Sequence, residues 1–180
     1  MDNSRAELRQ RILNKMDADI EHRIMGYEVG KLTEQGFWCR IFPRGEAPGS
    51  PDELIGATGR EVDVLSIPGY TTDLNLAFKA ANRLCGVQGF IEMEIYPHDS
   101  ATCSIALWDK ENGCYGYYRY ADFDPALAIC YALLMAVGVN IDRYEVALSK
   151  ADLCVSWSEN NCDSVVYIGR DASTEYTETE

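Results

Sequence analysis

Two helix starts enclose three strand-like segments, and that order constrains the chain more than any other feature. The first start is Pro68-Gly69-Tyr70-Thr71-Thr72-Asp73-Leu74. Thr71 or Thr72 suits the N-cap there, and Asp73 puts a negative charge in the first turn, where the helix dipole favours it. Leu74, Ala77, Phe78, Ala81 and Leu84 follow at helical spacing until Gly86. The second start is Asp124-Pro125, an acidic cap with proline at the first helical position. Its helix, Ala126 to Val137, is apolar nearly all round and is expected to be buried, with Gly138 as its stop. Between the two helices Phe90 to Tyr96 alternates: Ile91, Met93 and Ile95 share one face, and Phe90, Glu92, Glu94 and Tyr96 the other. Thr102 to Trp108 alternates too, with Cys103, Ile105 and Leu107 on one face. Lys110-Glu111-Asn112-Gly113 reads as a hairpin turn, because Asn-Gly accepts positive φ, and Cys114 to Tyr120 is a tyrosine-rich third strand.

The expected fold is therefore α+β: an antiparallel three-stranded meander flanked by helices, an α-β-β-β-α core over about 68–139. An N-terminal helix precedes it over 4–25, where Leu8, Ile12, Met16, Ile20 and Ile24 recur every four residues with charged groups on the other face. Gly26 is a stop, and Asp17 and Asp19 offer a second helix start. Residues 36–42 and 61–67 read as short extended pieces. The proline- and glycine-rich stretch 43–59 between them reads as a mobile loop. Ala151–Trp157 and Ser164–Gly169 read as a C-terminal hairpin. One domain over 1–170 accounts for these elements, with 171–180 a disordered acidic tail.

Charge is the strongest bulk signal. The formal net charge of the 180 residues is −13, and it is uneven: residues 1–60 carry nine basic against ten acidic groups, residues 61–180 seven against nineteen. Such a surface repels phosphate backbones, so direct nucleic-acid binding is not expected. It attracts basic protein surfaces, including those that hold nucleic acid. No apolar run reaches the roughly 18 residues of a membrane span, and the N-terminus lacks the apolar stretch of a secretory signal. The seven cysteines are scattered, without a C-x-x-C, and several fall inside apolar strand or helix patterns. That pattern fits buried, reduced thiols in a cytosol. Cys154 and Cys162 could face each other across the last hairpin, though a disulfide there is disfavoured in that setting. His22 and His98 lie apart, so neither a metal site nor a cofactor is expected.

The α-β-β-β-α order is also that of double-stranded-RNA-binding domains. Those need basic residues where the third strand meets the last helix, and Tyr120-Ala-Asp122-Phe-Asp124 has the wrong sign. A different family fits better. Met16-Asp-Ala-Asp-Ile20-Glu-His-Arg-Ile24-Met25-Gly26-Tyr27, Tyr70-Thr71-Thr72-Asp73-Leu74-Asn75 and Ala126-Leu-Ala-Ile-Cys130-Tyr-Ala132-Leu resemble the "vMGW", "YSTD" and "A-x-C-x-A" elements of the phage ABA-sandwich domain proteins. Tyr27 stands for the usual tryptophan and Thr71 for the usual serine. The resemblance covers about 16–139. It implies a small protein of a phage or prophage acting in a bacterial host cytoplasm, and a compact sheet with helices. It supplies no catalytic residues.

Three uses of these residues are open. In the first, the chain is an acidic inhibitor that binds a basic host protein, such as a nucleic-acid-handling defence complex (a CRISPR effector, for example), through Phe90, Glu92, Glu94, Tyr96, Tyr118 and Tyr120. Aromatics and carboxylates together suit such a partner. Alternation separates Tyr115 and Tyr117 from Tyr118 and Tyr120, so one pair belongs to the core. In the second use, Tyr70, Thr71 and Thr72 hold a small anion such as a nucleotide signal at the helix N-terminus. Asp73 and the scarcity of basic residues nearby weigh against that. In the third, Glu92 and Glu94 form a hydrolytic carboxylate pair, for which no pocket can be argued from sequence. A homodimer is left open.

Overall fold

The computed structural model describes residues 3–32, 36–49, 54, 62–96 and 100–156. Among them are four helices and two three-stranded antiparallel sheets, a mixed α+β chain. The first helix, α1 (Asn3–Ile20), runs without a break into a π-helical turn over Glu21–Met25. Gly26 stops it at φ 84°, its amide bonded back to the Glu21 carbonyl. Asp17 and Asp19 therefore start no second helix.

The first sheet orders β1 (Val29–Lys31), β2 (Trp38–Pro43) and β3 (Val62–Ser66). The two extended pieces read from sequence are β2 and β3. The three-residue Val-Gly-Lys strand β1 is too short to carry alternation, and pairing with β2 defines it, Val29 opposite Arg40 and Lys31 opposite Trp38. Residues 44–49 of the proline- and glycine-rich stretch are turn and irregular chain. Residues 50–53 and 55–59 lie outside the described residues.

The next unit has the expected order. Helix α2 (Leu74–Cys85) precedes the meander β4 (Phe90–Ile95), β5 (Ala101–Asp109) and β6 (Cys114–Asp122), and α3 (Pro125–Ala136) follows it. The cap of α2 is Asp73, one residue beyond the expected threonines: its Oδ1 accepts from the amides of Asn75 at 2.8 Å and Leu76 at 3.2 Å. Asp124 caps α3 through the Ala126 amide at 2.8 Å. The β5–β6 turn closes with Gly113 at φ 64° and Asp109 gathering the amides of Glu111 and Asn112.

Helices α2 and α3 pack on one face of this sheet. Ala126 to Leu134 of α3 are all buried, because the helix lies between the sheet and α1. The C-terminal hairpin is not formed: Ala151 to Ser156 complete a helix, α4 (Asp142–Ser156), packed on α1. The stretch that looks alternating is the end of this helix, in which Tyr144, Leu148 and Ala151 are buried. Asn140 helps start it by accepting the Asp142 amide at 3.0 Å. Residues 164–169, the tail 171–180 and Cys162 lie outside the described residues. No helix among the described residues is long and apolar enough to cross a membrane.

Candidate functional site

Two clusters of polar and aromatic side chains stand out, one sealed and one open. The sealed cluster corrects the expectation that charged groups of the first helix fill a solvated face: Asp17, Asp19 and Glu21 are buried. Residues four apart share a helix face, so Asp17 and Glu21 look together toward the start of α2, and Asp19 looks toward α4. Asp17 accepts the amide of Thr71 at 2.8 Å and its hydroxyl at 3.2 Å. Glu21 accepts from the Arg40 guanidinium of β2 and from the Tyr70 hydroxyl. Asp19 accepts from Lys15 at 2.5 Å, from Arg143 at 2.8 Å and from the Tyr144 hydroxyl.

These surroundings push the carboxyls in opposite directions. Burial lifts Asp17 to about 7, against the two bonds from Thr71, and the charge of Glu21 adds to the rise. Burial also pushes Asp19 up, but the bonds from Lys15 and Tyr144 and the charges of Lys15 and Arg143 outweigh it and leave it below its ordinary value. Burial and the bond to Glu21 raise the Tyr70 hydroxyl.

The same geometry engages the polar groups of Tyr70, Thr71 and Thr72, the residues expected to hold a small anion. Tyr70 and Thr71 are buried, with their polar groups turned to Glu21 and Asp17. Exposed Thr72 donates its hydroxyl to the Gly69 carbonyl at 3.3 Å, and the first free amides of α2 go to Asp73. Tyr70, Thr71 and the amides of Asn75 and Leu76 thus bond within the fold.

The open cluster is the other face of the meander. Cross-strand register fixes its members: Phe90 opposite Ala106 opposite Tyr117, Glu92 opposite Ser104 opposite Arg119, and Trp108 opposite Tyr115. Phe90, Glu92, Glu94 and Tyr96 share this face as expected, and all four are exposed. Tyr118 and Tyr120 do not join them. Strand alternation turns both to the helix side, where Tyr120 stacks on Tyr131 of α3 at 4.3 Å and donates its hydroxyl to Glu145 of α4 at 2.7 Å. Burial and the Glu145 bond raise that hydroxyl's pKa. Tyr115 and Tyr117 take the places assigned to Tyr118 and Tyr120, and Trp108 joins them.

The face has two halves. At one end Phe90, Trp108, Tyr115 and Tyr117 form an edge-to-face aromatic wall: Phe90 lies 5.3 Å from Tyr115 and 6.2 Å from Tyr117, and Trp108 lies 5.0 Å from Tyr115. These rings remain 37–62% exposed, which is unusual for four adjacent aromatics and typical of contact surfaces. At the other end Glu92, Glu94, Thr102, Ser104 and Arg119 line a shallow depression of about 90 Å³. Glu94 is held there by the Tyr96 hydroxyl at 2.6 Å and by Arg119 at 3.7 Å. Glu92, two residues away, has no such partner among the described residues. Alternation alone, applied to Tyr115 and Tyr117 against Phe90, could have assembled this wall if the strand register had been known.

Neither Glu92 nor Glu94 is withdrawn from water. Among the described residues no three His, Cys, Asp or Glu side chains are grouped to hold a metal ion. No protein-family model, curated protein or solved structure matches the chain.

Proposed function

We propose that the chain is a binding protein that docks a basic protein surface onto the open face of its β4–β5–β6 sheet. The observation that carries this reading is the adjacency of four exposed rings to two exposed carboxylates on one sheet face. Aromatic anchors supply contact area that side-chain entropy costs little, and carboxylates steer and pair with cations. A net charge of −13 works in the same direction over longer range. It also disfavours nucleic acid and a second copy of the chain as occupants. The resemblance to the phage family narrows the partner to a protein of an infected bacterium, and a basic nucleic-acid-handling defence complex is the kind of target an acidic inhibitor suits. That step rests on resemblance, whereas the docking face rests on geometry.

The test is capture from bacterial lysate on immobilised protein, run in parallel with a Glu92→Lys, Glu94→Lys variant of confirmed fold. The reading expects basic proteins retained by the wild type and released by the variant, with retention falling as salt rises. An identical set of captured proteins on both columns would count against it.

A further inference from the structure

The two halves of the open face meet at one place, between Phe90 and Glu92. Side chains two apart on a strand project in parallel, roughly 6–7 Å from each other. The Phe90 ring packs with Tyr115 and Tyr117, so it is braced from the side and keeps an exposed surface. Ala106 lies between Phe90 and Tyr117 in the register and is fully buried, so the floor between those rings is closed and apolar. One step along the strands, Ser104 lies between Glu92 and Arg119 and adds a hydroxyl. Arg119 and Tyr96 are committed to Glu94. Among the described residues Glu92 is therefore the carboxylate of the face left to an incoming cation, and it stands beside a braced aromatic surface.

Among cations, this arrangement separates arginine from lysine. A guanidinium is flat and weakly hydrated, stacks on an aromatic ring, and forks onto a carboxylate in its own plane. An ammonium is a compact, strongly hydrated point charge that gains from the carboxylate but little from the ring's flat surface. The occupant is argued from charge. The chain's own last ten residues carry four acids and no base, and a second copy carries the same −13, so both have the wrong sign.

We propose that the face is an arginine-reading site: an arginine of the basic partner lays its guanidinium against the Phe90–Tyr117 wall and pairs with Glu92, with Ser104 as a second acceptor. This rests on the reading of the face as a docking surface for a basic protein and specifies what that surface selects. Glu94, fixed by Tyr96 and Arg119, closes the acidic end and keeps its own charge partly neutralised.

The experiment compares two fluorescent nonapeptides of equal charge, nona-arginine and nona-lysine, by anisotropy at low salt. The variants are Phe90→Leu, Tyr117→Leu and Glu92→Gln, each checked by its melting curve. All three positions are exposed, and the leucine variants keep apolar bulk while removing the ring. The wild type is expected to bind the arginine peptide about three- to fivefold more tightly, the range an exposed cation–π contact supplies. Phe90→Leu and Tyr117→Leu should abolish that preference and leave lysine-peptide affinity nearly unchanged, whereas Glu92→Gln should weaken both peptides. Equal affinity for the two peptides, still dependent on Glu92, would overturn the arginine preference and leave the basic-partner reading standing. Binding of neither peptide, or binding indifferent to all three substitutions, would overturn both.

Discussion

Thr71 gives both its backbone amide and its hydroxyl to Asp17, tying the last full turn of α1 to the entrance of α2 across 54 residues of sequence. The neighbouring pair does the same, Tyr70 donating to Glu21. The Met16–Tyr27 and Tyr70–Asn75 segments thus bond to each other. Their residue types are explained by buried, mutually satisfied hydrogen bonds. They need no ligand to account for them.

Asp17 should make stability depend on pH in an unusual direction. Its folded pKa of about 7 lies above the ordinary 3.8. Its stabilising contribution is therefore complete below pH 3.8 and is lost as pH rises through 7, because the folded chain holds a proton the unfolded chain has released. Asp19 acts oppositely: its lowered pKa gives stability that is present above its ordinary range and lost as pH falls through the folded value. The melting temperature of Asp17→Asn relative to wild type should rise between pH 5 and pH 8, by the equivalent of roughly 2–4 kcal/mol. An offset that stays constant across that range would contradict the assignment.

The Glu21 network predicts a rank order. Arg40→Ala leaves a fully buried carboxylate without its counter-charge and should cost about 3–5 kcal/mol. Tyr70→Phe removes one hydrogen bond to Glu21 and should cost about 1–2 kcal/mol. Urea unfolding of the two variants measures both, and the reverse order would mean that Arg40 is not the principal partner.

The cap positions are equally specific. Asp73→Ala and Asp124→Ala should each cost about 1 kcal/mol. Thr72→Ala, at an exposed position that bonds only within its own turn, should stay within about 0.5 kcal/mol. A larger loss at Thr72 than at Asp73 would return the cap to the threonine.

Thiol reactivity should follow burial. Cys39, Cys85, Cys103 and Cys130 are buried free thiols and Cys114 is exposed. Burial, helped by the charge of Cys85, pushes Cys103 up to about 12, and complete burial raises Cys130 as well. Alkylation of the native protein followed by peptide mapping should find Cys114 modified well before those four. Rapid labelling of Cys103 or Cys130 would argue that the sheet–helix interface opens readily.

Periodicity was enough to find α2, the meander and α3, because their apolar patterns are long and their caps are strong. It failed where neighbours decide. Val29–Lys31 is a strand only through β2, and Ala151–Ser156 alternates in sequence yet continues the α4 helix. Asp17, Asp19 and Glu21 look like solvent-facing residues until Thr71, Arg40, Tyr70, Arg143 and Tyr144 arrive from distant parts of the chain to satisfy them. Half of the open face was legible from the alternation of Phe90, Glu92, Glu94 and Tyr96. The other half was assigned to Tyr118 and Tyr120, because nothing in a single strand tells which of its faces meets the helices.

The docking face is tested most directly by two variants with the same change in net charge. Glu92→Lys, Glu94→Lys alters the face, and Glu7→Lys, Glu28→Lys alters exposed positions outside the β4–β5–β6 sheet. Affinity for a basic partner purified by wild-type capture is measured for both at one salt concentration, after matching melting curves. The account predicts that the face variant loses about 2 kcal/mol or more of binding and the control variant far less. Equal losses would mean that net charge alone attracts the partner, and full affinity in the face variant would remove the sheet face from the interaction.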